Sequence, residues 1–202
     1  MRLGWSHGDQ EVFTREEMIA AFDIHDVNKA ASTFNPEKLL WLNQQHMMRA
    51  QPAAIVPYLR SQLRRLGLDS DDQRLLEGVI LAQRERAKTL KEMAQNSRFF
   101  FTDAVEIDPK AAAKHFAGGG LEMLAKVRER LGALPEWSTA AIHGALNDLA
   151  TALGTGLGKI AQPVRVAVTG TAVSPPIDAT LELLGRERAL ARIDQALKPA
   201  SS

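Results

Sequence analysis

Few residues in this chain are of a type and spacing that could do chemistry. Residues 154–159, GTGLGK, look like a phosphate-binding loop. A Walker A loop needs a glycine five places before its last glycine, and Leu153 stands there instead. It also needs Ser or Thr after the lysine to ligate magnesium, and that place holds Ile160. No strand signal precedes the run, which reads as a loop between helices. His25-Asp26 has the form of an HD-type phosphohydrolase dyad. A catalytic metal wants three or more converging ligands, however, and neither His7 nor His46 sits on a carboxylate-rich helical face. Ser6, His7 and Asp9 are too close along the chain to converge as a triad, so turn hydrogen bonding is the better reading for them. The last group is basic. Arg60, Arg64 and Arg65 cluster on one predicted helix, and Arg84, Lys88 and Lys91 share a face if the next helix runs on, with Arg86 pointing elsewhere. Spacing alone makes these a solvated face.

Bulk properties narrow the classes. A chain of 202 residues can bury a core and could hold two small domains. With 45% apolar and 24% charged residues it has the make-up of an ordinary globular protein. The formal net charge of +1 advertises no global attraction to nucleic acid, so RNA binding would need a local patch. The absence of cysteine excludes disulfides, thiolate metal sites and cysteine nucleophiles, and suits a reducing compartment. The N-terminus has no apolar signal core, and no run of about 18 apolar residues occurs, which leads to the expectation of a cytoplasmic protein without a membrane partner.

The elements that must position these residues read as helices throughout. Leu3 and Trp5 have no preceding element to pack on, so the chain is expected to start within a domain. Thr14-x-x-Glu17 is a capping box for a helix over 15–22. Asn35-Pro36 opens the next helix, with Leu39, Leu40, Leu42 and Met47 as its buried side. A helix over 53–66 follows, with Pro57 near its start or kinking it, and Gly67 stops it. Ser70-x-x-Gln73 reads as a second capping box for a helix running to about Arg86, with Leu75, Leu76, Val79 and Ile80 inward. Core packing is the expectation for Phe99, Phe100 and Phe101. Asp108-Pro109 starts a short helix stopped by Gly118-Gly119-Gly120; helices over 121–131, 138–153 and 186–197 complete the count, and 198–202 is expected to be a loose tail. Residues 164–170, VRVAVTG, are ambiguous: composition alone makes them a strand ending at a glycine.

The run over residues 159–190, KIAQPVRVAVTGTAVSPPIDATLELLGRERAL, resembles the C-terminal part of bacterial glutamyl-tRNA synthetase, a class I aminoacyl-tRNA synthetase. In that family a helix of the form QPxRxAxTG leads through a proline-containing turn into a helix ending LLGxERAL. LGWSHGDQEVF and FDIHDVNKAASTFNPEKLLWLNQQHM resemble the family's stem-contact region. The resemblance implies an all-α fold, with two consecutive helical anticodon-binding domains of the α-helix cage type after a remnant of the stem-contact region. The corresponding boundaries are 1–50, 51–108, 109–197 and a tail over 198–202. It makes VRVAVTG a helix.

It also implies a partner, a glutamate-accepting tRNA held by its anticodon loop, with no DNA partner and a monomeric state. Residues 84–93, RERAKTLKEM, are similar to the segment that reads the third anticodon base, and Arg86 matches the arginine of enzymes that charge only the glutamate tRNA. Arg84 joins it as a binding candidate. A guanidinium is a planar fork of donors, whereas an unpaired cytosine offers O2 and N3 acceptors and guanine a donor-rich edge. Gln162 and Arg165 match positions near the middle base, and Ser174, Pro175 and Ile177 match the joint that packs the first base. Asp178 departs from the pattern, standing where a relative has an aromatic residue. The resemblance covers nearly the whole chain but only half or so of the family's enzyme. The HIGH-type and KMSKS-type motifs that bind ATP are missing, so the implied ATP and magnesium belong to the intact enzyme. This chain is expected to hold no cofactor and to catalyse nothing. A helical interaction module without tRNA specificity is the rival reading, and it would lack basic side chains around the joints.

Overall fold

The computed structural model describes residues 4–29 and 33–198. Its N-terminal part starts from local signals that behave as read. Thr14 Oγ1 accepts from the Glu17 N–H at 3.1 Å and Glu17 returns a carboxylate oxygen to the Thr14 N–H at 2.8 Å, closing the capping box of α1 (Arg15–Ala21). Asn35 caps α2 (Pro36–Arg49) through Lys38 N–H. Trp5 packs against Phe13 and Phe22, with ring centroids 5.7 Å apart in each case. Leu3 lies outside the described residues, as do 199–202 of the expected tail. The expected buried side of α2 is corrected. Only Met47 is buried, while Leu39 and Leu40 are exposed and Leu42 is half-buried. Little of the described chain packs over this helix, so its apolar side stays open.

Three helices then build a first core. They are α3 (Pro52–Arg64), α4 (Gln73–Gln83) and α5 (Leu90–Asn96). Val56, Leu59 and Leu63 recur at helical spacing along α3 and meet Leu76, Val79 and Ile80 of α4 and Met93 of α5. Pro57 stands inside α3. Two sequence expectations shift here. The cap of α4 is Asp72, whose carboxylate accepts from the Leu75 N–H at 2.9 Å, while Ser70 caps only Asp72 itself. The helix also ends at Gln83 rather than Arg86, so Arg84, Lys88 and Lys91 do not lie along one continuous helical face. Phe99 and Phe100 are buried on a one-turn 3-10 helix and Phe101 is half-buried, in keeping with core packing.

Six helices form the rest: α6 (Pro109–His115), α7 (Gly120–Gly132), α8 (Thr139–Ala152), α9 (Leu157–Thr169), α10 (Ile177–Leu184) and α11 (Arg186–Leu197). Helix α9 lies at the centre and touches α6, α7, α8, α10 and α11. Composition made VRVAVTG a strand, and the structure overturns that. Ile160, Val164, Ala167 and Val168 are spaced to bury one side of a helix, and tertiary packing on every flank outweighs the β-preference of valine. The described residues form helices and turns and no strand, only an isolated bridge between His7 and Gln10.

The apolar core is one cluster that runs from Met47 of α2 to Ile193 of α11, across the expected boundaries at 50 and 108. Polar ties cross the same line. Arg192 is 2% exposed, and its guanidinium donates to the carbonyls of Val168 at 2.6 Å, Phe99 at 2.8 Å, Thr102 at 2.5 Å and Asp103 at 3.4 Å. Burial, with Arg188 nearby, pulls its pKa down to about 10 against the opposing pull of Asp103, so it stays charged at neutral pH.

Candidate functional site

One side of α9 is the spine of the site. Lys159, Gln162, Arg165 and Thr169 follow one another at spacings of three, three and four, which places them in a row on the order of 15 Å long. Gly170 ends the helix with φ +80°, and its carbonyl accepts from the Asp108 N–H at 2.8 Å. A Cβ there would lie 2.2 Å from the Glu106 carbonyl oxygen, so the close approach needs glycine. This seats residues 171–176 beside the row.

Arg165 organises that loop. One of its terminal nitrogens donates to the Ser174 carbonyl at 3.1 Å, the Ser174 hydroxyl at 2.6 Å and the Pro175 carbonyl at 3.0 Å. The Ser174 hydroxyl in turn donates to the Pro175 carbonyl at 2.8 Å. Arg165 Nε is buried without a partner. Burial lowers the Arg165 pKa; Arg86 nearby lowers it further and Asp178 opposes. The Arg86 charge is therefore close enough to be felt by Arg165.

Arg86 stands exposed on the turn after α4, its N–H bonded to the Gln83 carbonyl at 2.8 Å. It borders two adjoining hollows. The first, about 350 Å³, is bounded by Gln162, Arg165, Ser174 and Pro175. The second, about 670 Å³, runs on past Arg98, Phe99 and Thr169. Arg86, Val173 and Ser174 belong to both, which makes them one cleft. Of the residues singled out by sequence, Arg86, Gln162, Arg165, Ser174 and Pro175 thus come together. Ile177 does not border the cleft; it is buried at the start of α10, directly after the loop. Arg84 borders neither hollow. It donates to the Met48 carbonyl at 3.1 Å, and Gln44 donates to the Glu85 carbonyl at 2.8 Å, so this pair of contacts ties the Arg86 turn to α2.

Sequence reasoning missed Val173, Arg98 and His143. Val173 is 71% exposed at the lip shared by the two hollows, an apolar residue in a loop, where neither periodicity nor composition flags it. His143 of α8 pairs through Nδ1 with Asp178 at 2.8 Å, so the residue that departs from the family pattern has its own partner. The other sequence candidates lie apart. Arg60 and Arg64 are paired with Asp69, and Arg60 also with Asp71. His25 and Asp26 are exposed on a single 3-10 turn capped by Asp23. Among the described residues no three His, Asp or Glu side chains converge as metal ligands would.

Residues 47–197 match the family described as "Anticodon binding domain". Glutamate–tRNA ligase 1 of Alkalilimnicola ehrlichii is 54% identical over 197 residues, 98% of this chain and 42% of the relative. Glutamate–tRNA ligase 2 of Halorhodospira halophila is 54% identical over 196 residues, again 42% of its length. The chain therefore spans about two-fifths of the curated relatives it matches. In three dimensions it is similar to a glutamate tRNA ligase from Elizabethkingia meningosepticum crystallised with its amino acid, at a TM-score of 0.86 and 29% identity, covering 97% of this chain and 39% of that one. The glutamate-tRNA synthetase of Elizabethkingia anophelis gives 0.83 at the same identity, covering 97% and 38%.

Proposed function

The chain belongs to the anticodon binding domain family, and from that premise we propose that the cleft along α9 reads the anticodon loop of a glutamate-accepting tRNA. The observation that carries the proposal is the meeting of Arg86 and Arg165 on one cleft from opposite helical groups. Arg86, free and exposed, offers a donor fork to the Watson–Crick edge of the third anticodon base. Gln162 and Arg165 face the middle base. Ser174 and Pro175, held from within by Arg165 and followed by the buried Ile177, shape the ledge for the first. Arg84 acts by holding the Arg86 turn rather than by contact.

The division at about 50 and 108 belongs to the same proposal, with the shared core as the reason the parts stay in register. Activation of glutamate with ATP and magnesium is proposed for a whole protein of the relatives' kind, and this chain alone is proposed to bind without catalysing, as a monomer in the cytoplasm.

The test is titration of the chain with anticodon stem-loops carrying C or G as third base. Wild type is expected to prefer C, and Arg86→Gln to erase most of a preference worth about 1–3 kcal/mol. Equal binding of both RNAs by wild type would remove Arg86 from its assigned role. Failure to bind either would favour the interaction-module reading.

A further inference from the structure

The row on α9 does not end at Gln162. That side chain also borders a hollow of about 330 Å³ on the other side, shared with Lys114, His115 and Lys159. Gly118, Gly119 and Gly158 line it too, with Met123 and Pro163 as its apolar wall. Its two lysines are exposed, and neither is in an ion pair among the described residues. No carboxylate of a described residue borders it. In this it differs from Arg60, Arg64, Arg128 and Arg130, whose charges are matched by neighbouring aspartates.

The backbone is open as well. Gly118 and Gly119 hold φ of +58° and +90°, and nothing lies within 4 Å of where a Cβ would stand at either, or at Gly158. Helix α9 begins at this hollow behind Gly156 with no side chain capping it, whereas the first N–H groups of α7 donate to the Ala117 carbonyl at 3.1 Å and the Phe116 carbonyl at 3.2 Å. The uncapped start of α9 adds a positive field to that of the two ammonium groups. Lysine is a compact point charge without a preferred fork, suited to a phosphate oxygen rather than to a base edge.

We infer that Lys114 and Lys159 form a backbone-phosphate site, which holds the sugar–phosphate chain of the same RNA loop whose bases enter the Arg86–Arg165 cleft. The inference rests on the anticodon reading proposed above and extends it. Gln162, common to both hollows, places the phosphate site next to the base site along one helix face. The GTGLGK run thereby finds a use that its failed likeness to a nucleotide loop does not suggest. Lys159 meets phosphate, but of a polynucleotide strand, and no bound nucleotide or magnesium is required.

Phosphate contacts position without reading sequence, and each contributes to the salt dependence of binding. The test titrates the whole chain, wild type and Lys114→Gln/Lys159→Gln, with the C and G stem-loops over a series of salt concentrations. Arg74→Gln serves as the charge control, because Arg74 borders a separate groove between α4 and α10. The double variant is expected to bind both RNAs more weakly by the same factor, with the C preference intact. Its log–log salt slope should be shallower by about one per lysine lost. Arg74→Gln should leave the slope where it was. Unchanged affinity and slope in the double variant, with wild type still preferring C, would overturn the phosphate site and leave the anticodon reading standing. An equal loss of slope in Arg74→Gln would also overturn it, since the charges would then act as a diffuse field. Wild type that binds neither RNA would end both.

Discussion

Arg192 and Arg165 are the same residue put to opposite uses. Both guanidiniums face main-chain carbonyls, Arg192 buried and Arg165 half-buried, and burial lowers the pKa of each. At Arg192 every nitrogen is engaged, by carbonyls from Phe99, Thr102, Asp103 and Val168, and the side chain is closed to solvent. At Arg165 one nitrogen makes every bond, Nε has no partner, and the group borders an open cleft. A fully engaged fork is a fastener. A partly engaged one stabilises a loop through one terminal nitrogen and keeps the other in reserve, and that residual capacity is what a binding surface needs.

The sharpest way to break the contrast is at Arg192. Arg192→Met strands several buried carbonyls and should cost about 1–3 kcal/mol for each one left without a partner. Urea unfolding would read this, and a loss below 1 kcal/mol would mean that the two arginines are not distinct in kind. Arg165→Lys keeps the charge but loses the fork, so it should cost about 1.5–3 kcal/mol in urea unfolding. Tighter RNA binding by that variant would show that Arg165 only props the loop.

The smallest effect belongs to the Arg128–Asp194 pair, at 2.7 and 3.0 Å between α7 and α11. Arg128 hydrogen bonding holds the Asp194 carboxyl below its usual range, so its stabilisation is present above the ordinary carboxylate pKa and is lost as pH falls through the lowered one. Both side chains are more than a third exposed, at 37% and 45%, which limits the contribution to below about 1 kcal/mol. Asp194→Asn should therefore be slightly less stable than wild type at pH 7 and match it in strong acid, as melting curves at both would tell.

Much of the fold was legible in local signals. Thr14, Asn35 and Asp108 each cap the helix their side chains suggested, because a cap is a bond between residues two or three apart and needs nothing distant. Where distant packing decides, the same kind of reading failed. Leu39 and Leu40 carry the right spacing for a buried face, but the described chain supplies little to bury it. VRVAVTG has strand composition, yet five neighbouring helices hold it helical.

The site divides in the same way. Arg86, Gln162, Arg165, Ser174 and Pro175 could be named from the run of residue types, because the motif fixes their chemistry. Their meeting could not, since Arg86 and Arg165 are 79 positions apart in the chain and reach one cleft only through the packing of two helical groups. Nor could the sequence separate the arginine closed inside the core from the one that borders the cleft. That depends on how many carbonyls and carboxylates the fold brings within hydrogen-bonding distance of each guanidinium. Sequence determined which charges this protein owns and where its helices begin; three-dimensional packing decided which charges are spent inside and which are left for a partner.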